Sequence, residues 1–192
     1  YSLDKQKLYS NFINPSQYVV KRHKEISLRK FSKVNNKVDI LIIGDSHSQD
    51  LVNAVFEANL NENYEFSSFE IPIGCGVLFI KDRSDREDPM LNCQKKSFYN
   101  IDLMKQISLA DEVWIVSNWK DIDIDYMNES LENLLALNKQ IKLFGAKNMG
   151  SISARWYKVN EINNWHNPIL TEKNKKIFNR TAKVNKSISE IS

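Results

Sequence analysis

Short continuous apolar runs alternate along this chain with longer stretches in which apolar residues return every three or four positions. Residues 38–43 (VDILII) form an almost unbroken β-branched run closed by Gly44, the pattern of a strand buried in a parallel sheet. Leu51, Ala54, Val55 and Ala58 then recur at helical spacing. Residues 64–71 are rich in aromatics and predict a second strand, ended by Pro72 and Gly74. A long loop follows through Asp82, Asp85 and Pro89 to Cys93. Ile101, Met104 and Ile107 mark a helix, and residues 112–117 (EVWIVS) a third strand. Met127, Leu131, Leu134 and Leu135 share one face of the next helix. Residues 140–144 predict a fourth strand, stopped by Gly145. A polar stretch with Met149, Trp156 and Tyr157 precedes a final helix over roughly 171–191.

Strand–helix alternation at this spacing predicts an α/β fold, a flavodoxin-like three-layer sandwich around a central parallel sheet. Residues 38–192 are assigned to this domain. Residues 1–37 are polar, carry Lys21, Arg22, Lys24, Arg29, Lys30 and Lys33 close together, and are read as a partly helical lead-in or linker. Ligands of such sheets sit beyond the carboxyl ends of the strands, here residues 44–48, 73–75, 117–121 and 145–148.

Composition narrows the picture without changing it. With 192 residues, 42% apolar and 27% charged, the chain has the size and make-up of one globular domain. Its 27 basic and 24 acidic residues leave a net charge of +3, too weak to argue for nucleic acid as a partner. The longest apolar runs, such as 77–80, fall far short of the roughly 18 residues of a membrane helix, so no spanning segment is expected. The chain opens at Tyr1 without Met or a hydrophobic signal region, and reads as an excised or processed piece of something longer. Cys75 and Cys93 are free thiols in a cytosolic protein, or close a short loop in an oxidising compartment. Composition alone leaves both open.

The chemistry concentrates where the first strand meets its helix, at Gly44-Asp45-Ser46-His47-Ser48. Glycine lets the chain turn sharply, and Ser46 then lies at the mouth of the sheet. Backbone N–H groups at a helix start, together with the helix dipole, stabilise an oxyanion on anything attached to that serine. Ser46 is therefore a candidate nucleophile, given a base. The plainer alternative is that Ser46 or Ser48 only caps the helix. The pentapeptide is neither the G-x-S-x-G elbow nor a Walker or G-x-G-x-x-G loop.

The run 40–53 (ILIIGDSHSQDLVN) resembles the first block of SGNH (GDSL-type) hydrolases, and within them the SGNH domains appended to membrane-bound acyltransferases of the acyltransferase-three family, which O-acetylate cell-surface polysaccharides. Ile73-Gly74-Cys75 with a later cysteine, the 113–119 run (VWIVSNW) and the 143–150 run (LFGAKNMG) match more weakly. The resemblance implies Ser46 as nucleophile, with an oxyanion hole formed by Ser46, Gly74 and the side-chain amide of Asn118. It implies a disulfide between Cys75 and Cys93. Substrate contacts are assigned to Asp45, His47, Trp119, Lys147 and Asn148. No cofactor and no metal are implied. The implied activity is serine-dependent O-acetyl transfer. A carbohydrate esterase and a non-catalytic glycan-binding module are the alternatives. The implied partners are a glycan acceptor and a membrane-bound acyl-donor domain or protein, and the implied location is extracytoplasmic, tethered at the inner membrane.

Two departures matter. Ser117-Asn118-Trp119 stands where the family has Gly-x-Asn-Asp. The family's terminal Asp-x-x-His, source of the general base, is absent after residue 150, where the only histidine is His166. The favoured expectation is that the catalytic loop lies beyond Ser192; the alternative is a domain that lacks its base. Elsewhere, His23 in the basic lead-in is expected to be solvated. His47 is expected to line the cleft rather than serve as base. Asp121, Asp123 and Asp125 are expected in a solvated segment feeding a helix, as are Asp82, Asp85, Glu87 and Asp88 in a surface loop. Trp119, Trp156, Tyr157 and Trp165 are candidates for sugar stacking, and Trp114 for the core.

Overall fold

The computed structural model describes residues 15–33, 36–80, 93–97 and 99–145, with isolated positions 179, 182, 183 and 186. In chain order the elements are α1 (Pro15–Ile26), β1 (Val38–Gly44), α2 (Ser46–Glu57), a 3-10 turn (Leu60–Glu62), β2 (Tyr64–Glu70), the single turn α3 (Cys93–Lys96), α4 (Ile101–Leu109), β3 (Glu112–Val116), the short α5 (Asp121–Asp125), α6 (Met127–Leu135) and β4 (Gln140–Phe144). The four strands expected from the apolar runs form one sheet in the order β2-β1-β3-β4, every neighbouring pair parallel.

Alternation along β1 divides the core between two faces. Ile40 and Ile42 join Phe66, Trp114 and Val116 beneath α2 (Val52, Val55) and the end of α1 (Ile26). Leu41 and Ile43 join Val113 and Ile115 beneath α4 (Leu103, Ile107) and α6 (Met127, Leu134). The strap at residues 77–80 is buried in this second core and tied to α6, Phe79 N–H donating to Ser130 Oγ at 2.8 Å. Helices on both faces make the α/β three-layer sandwich that the alternation predicts.

The chain steps from β1 outward to β2 through α2, then returns across β1 to β3 through α4 on the opposite face. The direction of progression therefore reverses between β1 and β3, which makes their adjoining carboxyl ends the crevice of the sheet. Gly44 pairs with both Glu70 and Val116, so the ends of β2, β1 and β3 lie level.

The basic segment before β1 docks rather than trails. Ile26 is fully buried, Ser27 bridges to Ser68, and Leu28 N–H donates to the Ser68 carbonyl at 2.9 Å, covering the outer edge of β2. Its basic side chains Lys21, Lys24, Arg29 and Lys30 stay in solvent. His23, expected in solvent with them, is instead only 2% exposed, because its side of α1 packs on α2 and β2. The acidic run at 121–125 is helical rather than extended, coiling into α5, and Asp125 lies in solvent. Asp123 turns inward to accept Lys120 N–H at 2.6 Å. Cys75 and Cys93 are joined as a disulfide with Cα atoms 5.2 Å apart. No helix of the described residues is long and apolar enough to cross a membrane.

Candidate functional site

Gly44 is obligatory for geometric reasons. A Cβ there would collide with the carbonyl oxygen of Val116 and lie 2.7 Å from Ser48 Cβ. Only hydrogen lets the end of β1 press against β3 while α2 begins at once. The next residue, Asp45, caps α2. Its Oδ1 accepts the N–H of His47 at 2.9 Å, and its carbonyl accepts the N–H of Ser48 at 2.9 Å. Of the first three N–H groups of α2, two are thus taken by Asp45. The N–H and hydroxyl of Ser46 carry no hydrogen bond to a described residue, and its side chain is exposed at the crevice. The positive end of the helix dipole converges on the same point.

Asp45 also reaches sideways. Its Oδ2 accepts the Ser117 hydroxyl at 2.9 Å and the backbone N–H of Asn118 at 2.8 Å. One buried carboxylate therefore pins the serine-bearing turn to the end of β3, across the point where the sheet reverses. Asp45 is 1% exposed and both its oxygens are engaged, so the expectation that it contacts substrate gives way to a structural role. Asn118 stays exposed beside the clamp, two residues beyond Val116 as Ser46 is two beyond Gly44.

The third expected donor, Gly74, follows β2. Ile71 N–H donates to the Gly44 carbonyl at 2.8 Å, keeping the chain beside β1 for one more residue. The turn at 72–75 then closes through Cys75 N–H to the Pro72 carbonyl at 2.8 Å, leaving Gly74 exposed while the disulfide anchors Cys75 below. Ser46, Gly74 and Asn118 thus come from the carboxyl ends of three adjacent strands. His47 is half-buried beside Ser46. Trp119 is not a sugar platform: it is 2% exposed, packed in the α4/α6 core, with Nε1–H donating to the Phe144 carbonyl at 2.7 Å. Lys147, Asn148, Trp156, Tyr157, Trp165, His166 and the acidic positions 82–88 lie outside the described residues.

For two members of the site, Ser117 and Ser48, sequence predicts no catalytic or binding role. Ser117 sits at a strand end where any small polar residue looks alike. Ser48 Oγ donates to the Asp45 carbonyl at 2.7 Å and faces His23 Nε2 at 3.2 Å. Burial lowers the pKa of His23, opposed in part by the negative charge of Glu70. The signal for His23 is the helical recurrence of Val19, His23 and Ile26, hidden by the surrounding lysines. No group of three or more metal-ligating side chains occurs among the described residues.

A parallel α/β sheet with an exposed serine starting the helix after the first strand, at the reversal point, is the arrangement expected of an SGNH hydrolase-like protein. The family model for the SGNH domain fused to AT3 domains matches residues 18–191, and the chain belongs to that family. Membership supports SGNH-type acyl-transfer or hydrolytic chemistry in general. The matched region begins inside α1, the helix that docks on the sheet. No curated protein and no solved structure matches the chain.

Proposed function

We propose that this domain is an O-acetyltransferase that moves acetyl groups onto hydroxyls of a cell-surface polysaccharide through an acyl-enzyme on Ser46. The observation that carries the reading is the exposed Ser46 hydroxyl and N–H at the crevice, with Asn118 clamped alongside through Asp45. Ser46 Oγ bonds to the acetyl carbonyl carbon as its proton passes to a general base. The oxyanion is received by Ser46 N–H, Gly74 N–H and the Asn118 side-chain amide. Collapse breaks the bond to the donor's leaving group, which departs with the proton held by the base. A sugar hydroxyl then attacks the acetyl-serine, giving its proton to the base, and Ser46 leaves reprotonated. His47, Lys147 and Asn148 are proposed to contact the substrate. The general base is assigned to no described residue.

Fusion of this family's SGNH domain to AT3 domains supports a membrane-bound acyl donor, and the Cys75–Cys93 disulfide supports an oxidising, extracytoplasmic setting. The test uses the protein at its full natural length with a serine-reactive phosphonate and an acetyl-ester donor. The expected results are labelling of Ser46, loss of labelling in Ser46→Ala, and acetyl release accelerated by a glycan acceptor that becomes acetylated. Acetyl release indifferent to glycan would assign an esterase instead. Absence of labelling would assign a non-catalytic module.

A further inference from the structure

His23 ends up far from where its sequence surroundings point. Its ring is buried at the interface of α1 with α2, next to the first turn of α2 but facing Ser48 rather than Ser46. A hydroxyl has one hydrogen, and that of Ser48 goes to the Asp45 carbonyl, 2.7 Å away. The 3.2 Å contact with His23 must then run the other way, from Nε2–H into the Ser48 oxygen. This fixes the imidazole tautomer and the direction of the Ser48 O–H together.

The Asp45 carbonyl so held is half of a rigid unit. Its partner in the same planar peptide is the N–H of Ser46, and in a trans peptide the two point in opposite directions. Whatever aims the carbonyl aims the amide. Ser48 grips that carbonyl twice, through its own N–H at 2.9 Å and through its hydroxyl. An apolar residue at position 23 would fill the same interface without the cost of burying an imidazole. The polar side chain there has its counterpart in Ser48.

We propose that His23 is a positioning residue of the Ser46 site: acting through the Ser48 hydroxyl, it locks the Asp45–Ser46 peptide plane and so directs the Ser46 N–H into the crevice as an oxyanion donor. The proposal rests on the reading of Ser46 as nucleophile. It adds a component from α1, outside the strand-end loops that carry the rest of the site.

The test measures the rate at which a serine-reactive phosphonate labels Ser46, because the phosphonyl oxygen occupies the oxyanion position. Wild type, Ser46→Ala, His23→Leu, His23→Gln, Ser48→Ala and the His23→Leu/Ser48→Ala double variant are compared, each well below its own melting temperature. His23→Leu and Ser48→Ala should each slow labelling roughly tenfold or more, as small displacements of a reacting group do. The double variant should be no slower than the slower single one, since both break one relay. His23→Gln, whose amide supplies a donor of similar reach, should recover most of the rate. A loss of stability alone would not produce that recovery. Wild-type labelling rates in folded His23→Leu, or effects that multiply in the double variant, would overturn the proposal while leaving the nucleophile in place. If His23→Leu does not fold, Ser48→Ala decides, and an unchanged rate there overturns it. Failure of wild type itself to label would instead remove the reading of Ser46, and this proposal with it.

Discussion

Replacing Asp45 by Asn is the most informative single perturbation of this domain, because it keeps the shape of the clamp and removes half of its accepting capacity. The carboxylate accepts three hydrogen bonds, one on Oδ1 from His47 N–H and two on Oδ2 from Ser117 and Asn118. An amide has one oxygen. The least costly orientation keeps that oxygen toward Ser117 and Asn118 and turns the NH₂ toward His47, where two donors then face each other. One helix cap is lost and two charge-assisted bonds become neutral ones, which together cost about 2–3 kcal/mol. Asp45→Ala removes all three acceptors from a buried position and should cost about 3–5 kcal/mol.

For a chain of this length each kcal/mol lowers the melting temperature by roughly 2–4 °C. Asp45→Asn should therefore melt about 4–12 °C below wild type, and Asp45→Ala lower still. Circular dichroism melts and urea titrations at fixed pH measure both. Phosphonate labelling of Ser46 should slow alongside, since the same clamp sets the distance between the serine turn and Asn118. An Asp45→Asn protein that melts within about a degree of wild type and labels at the wild-type rate would refute the clamp.

Three further outcomes are expected. Gly44→Ala drives a methyl group into the Val116 carbonyl and against Ser48 Cβ, both on fixed backbone, and should cost several kcal/mol or abolish soluble expression, as read by urea midpoint. Reducing Cys75–Cys93, or replacing both residues by Ser, opens a loop with a sequence separation of 18 and should cost about 3 kcal/mol in the chain-entropy treatment, seen as a lowered melting temperature and a gel shift on reduction. Burial holds the pKa of His23 below its ordinary value, so the unfolded chain binds the proton more tightly than the folded one. The stability this confers is full above the unfolded pKa near 6.5 and declines as pH falls through the folded pKa, and His23→Gln should flatten that part of the pH–stability curve.

The architecture was legible because its signals are local and periodic. β1 is so apolar that it declares a buried strand, and α2, α4 and α6 each bury an apolar stripe (Val52 and Val55; Leu103 and Ile107; Met127 and Leu134), although Ile101 and Leu135, which belong to the same periodicity in sequence, lie in solvent. The reversal between β1 and β3 is not a local signal: right-handed crossovers produce it only because α2 and α4 cover opposite faces of the sheet, and it brings Ser46 and Asn118 to neighbouring strand ends. What sequence did not reveal depends on direction at a single residue. Trp119 looked like a sugar platform because an aromatic at a strand end is equally suited to crevice or core, and only the fold turned its indole N–H toward β4. Asp45 looked like a substrate contact because a polar residue beside a nucleophile usually faces outward. Here the sharp turn at Gly44 rotates it beneath the helix. His23 was hidden by its neighbours: average polarity over 21–33 reads as solvated, whereas α1 places one side in solvent and the other in the core.

Asp45 serves the site through two chemically separate groups, which allows the building of the site to be distinguished from the building of the fold. Its side chain joins α2 to β3, a contact between elements distant in sequence that contributes to global stability and to the spacing of Ser46 from Asn118 at once. Its carbonyl joins nothing distant. It is held within one turn by Ser48, itself backed by His23, and governs the aim of a single N–H. Loss of the first should lower stability and reactivity together. Loss of the Ser48 hydroxyl leaves the Ser48 N–H bond to the same carbonyl intact but strands the buried His23 donor, which should cost about 1–3 kcal/mol, less than the loss of the Asp45 carboxylate, while reactivity falls. Ser48→Ala should therefore lie off the line relating stability to labelling rate through the Asp45 variants, on the side of more reactivity lost than its loss of stability accounts for. Were it to fall on that line, the carbonyl and the carboxylate would be doing the same work, and the Ser46 amide would owe its orientation to the fold as a whole rather than to Ser48 and His23.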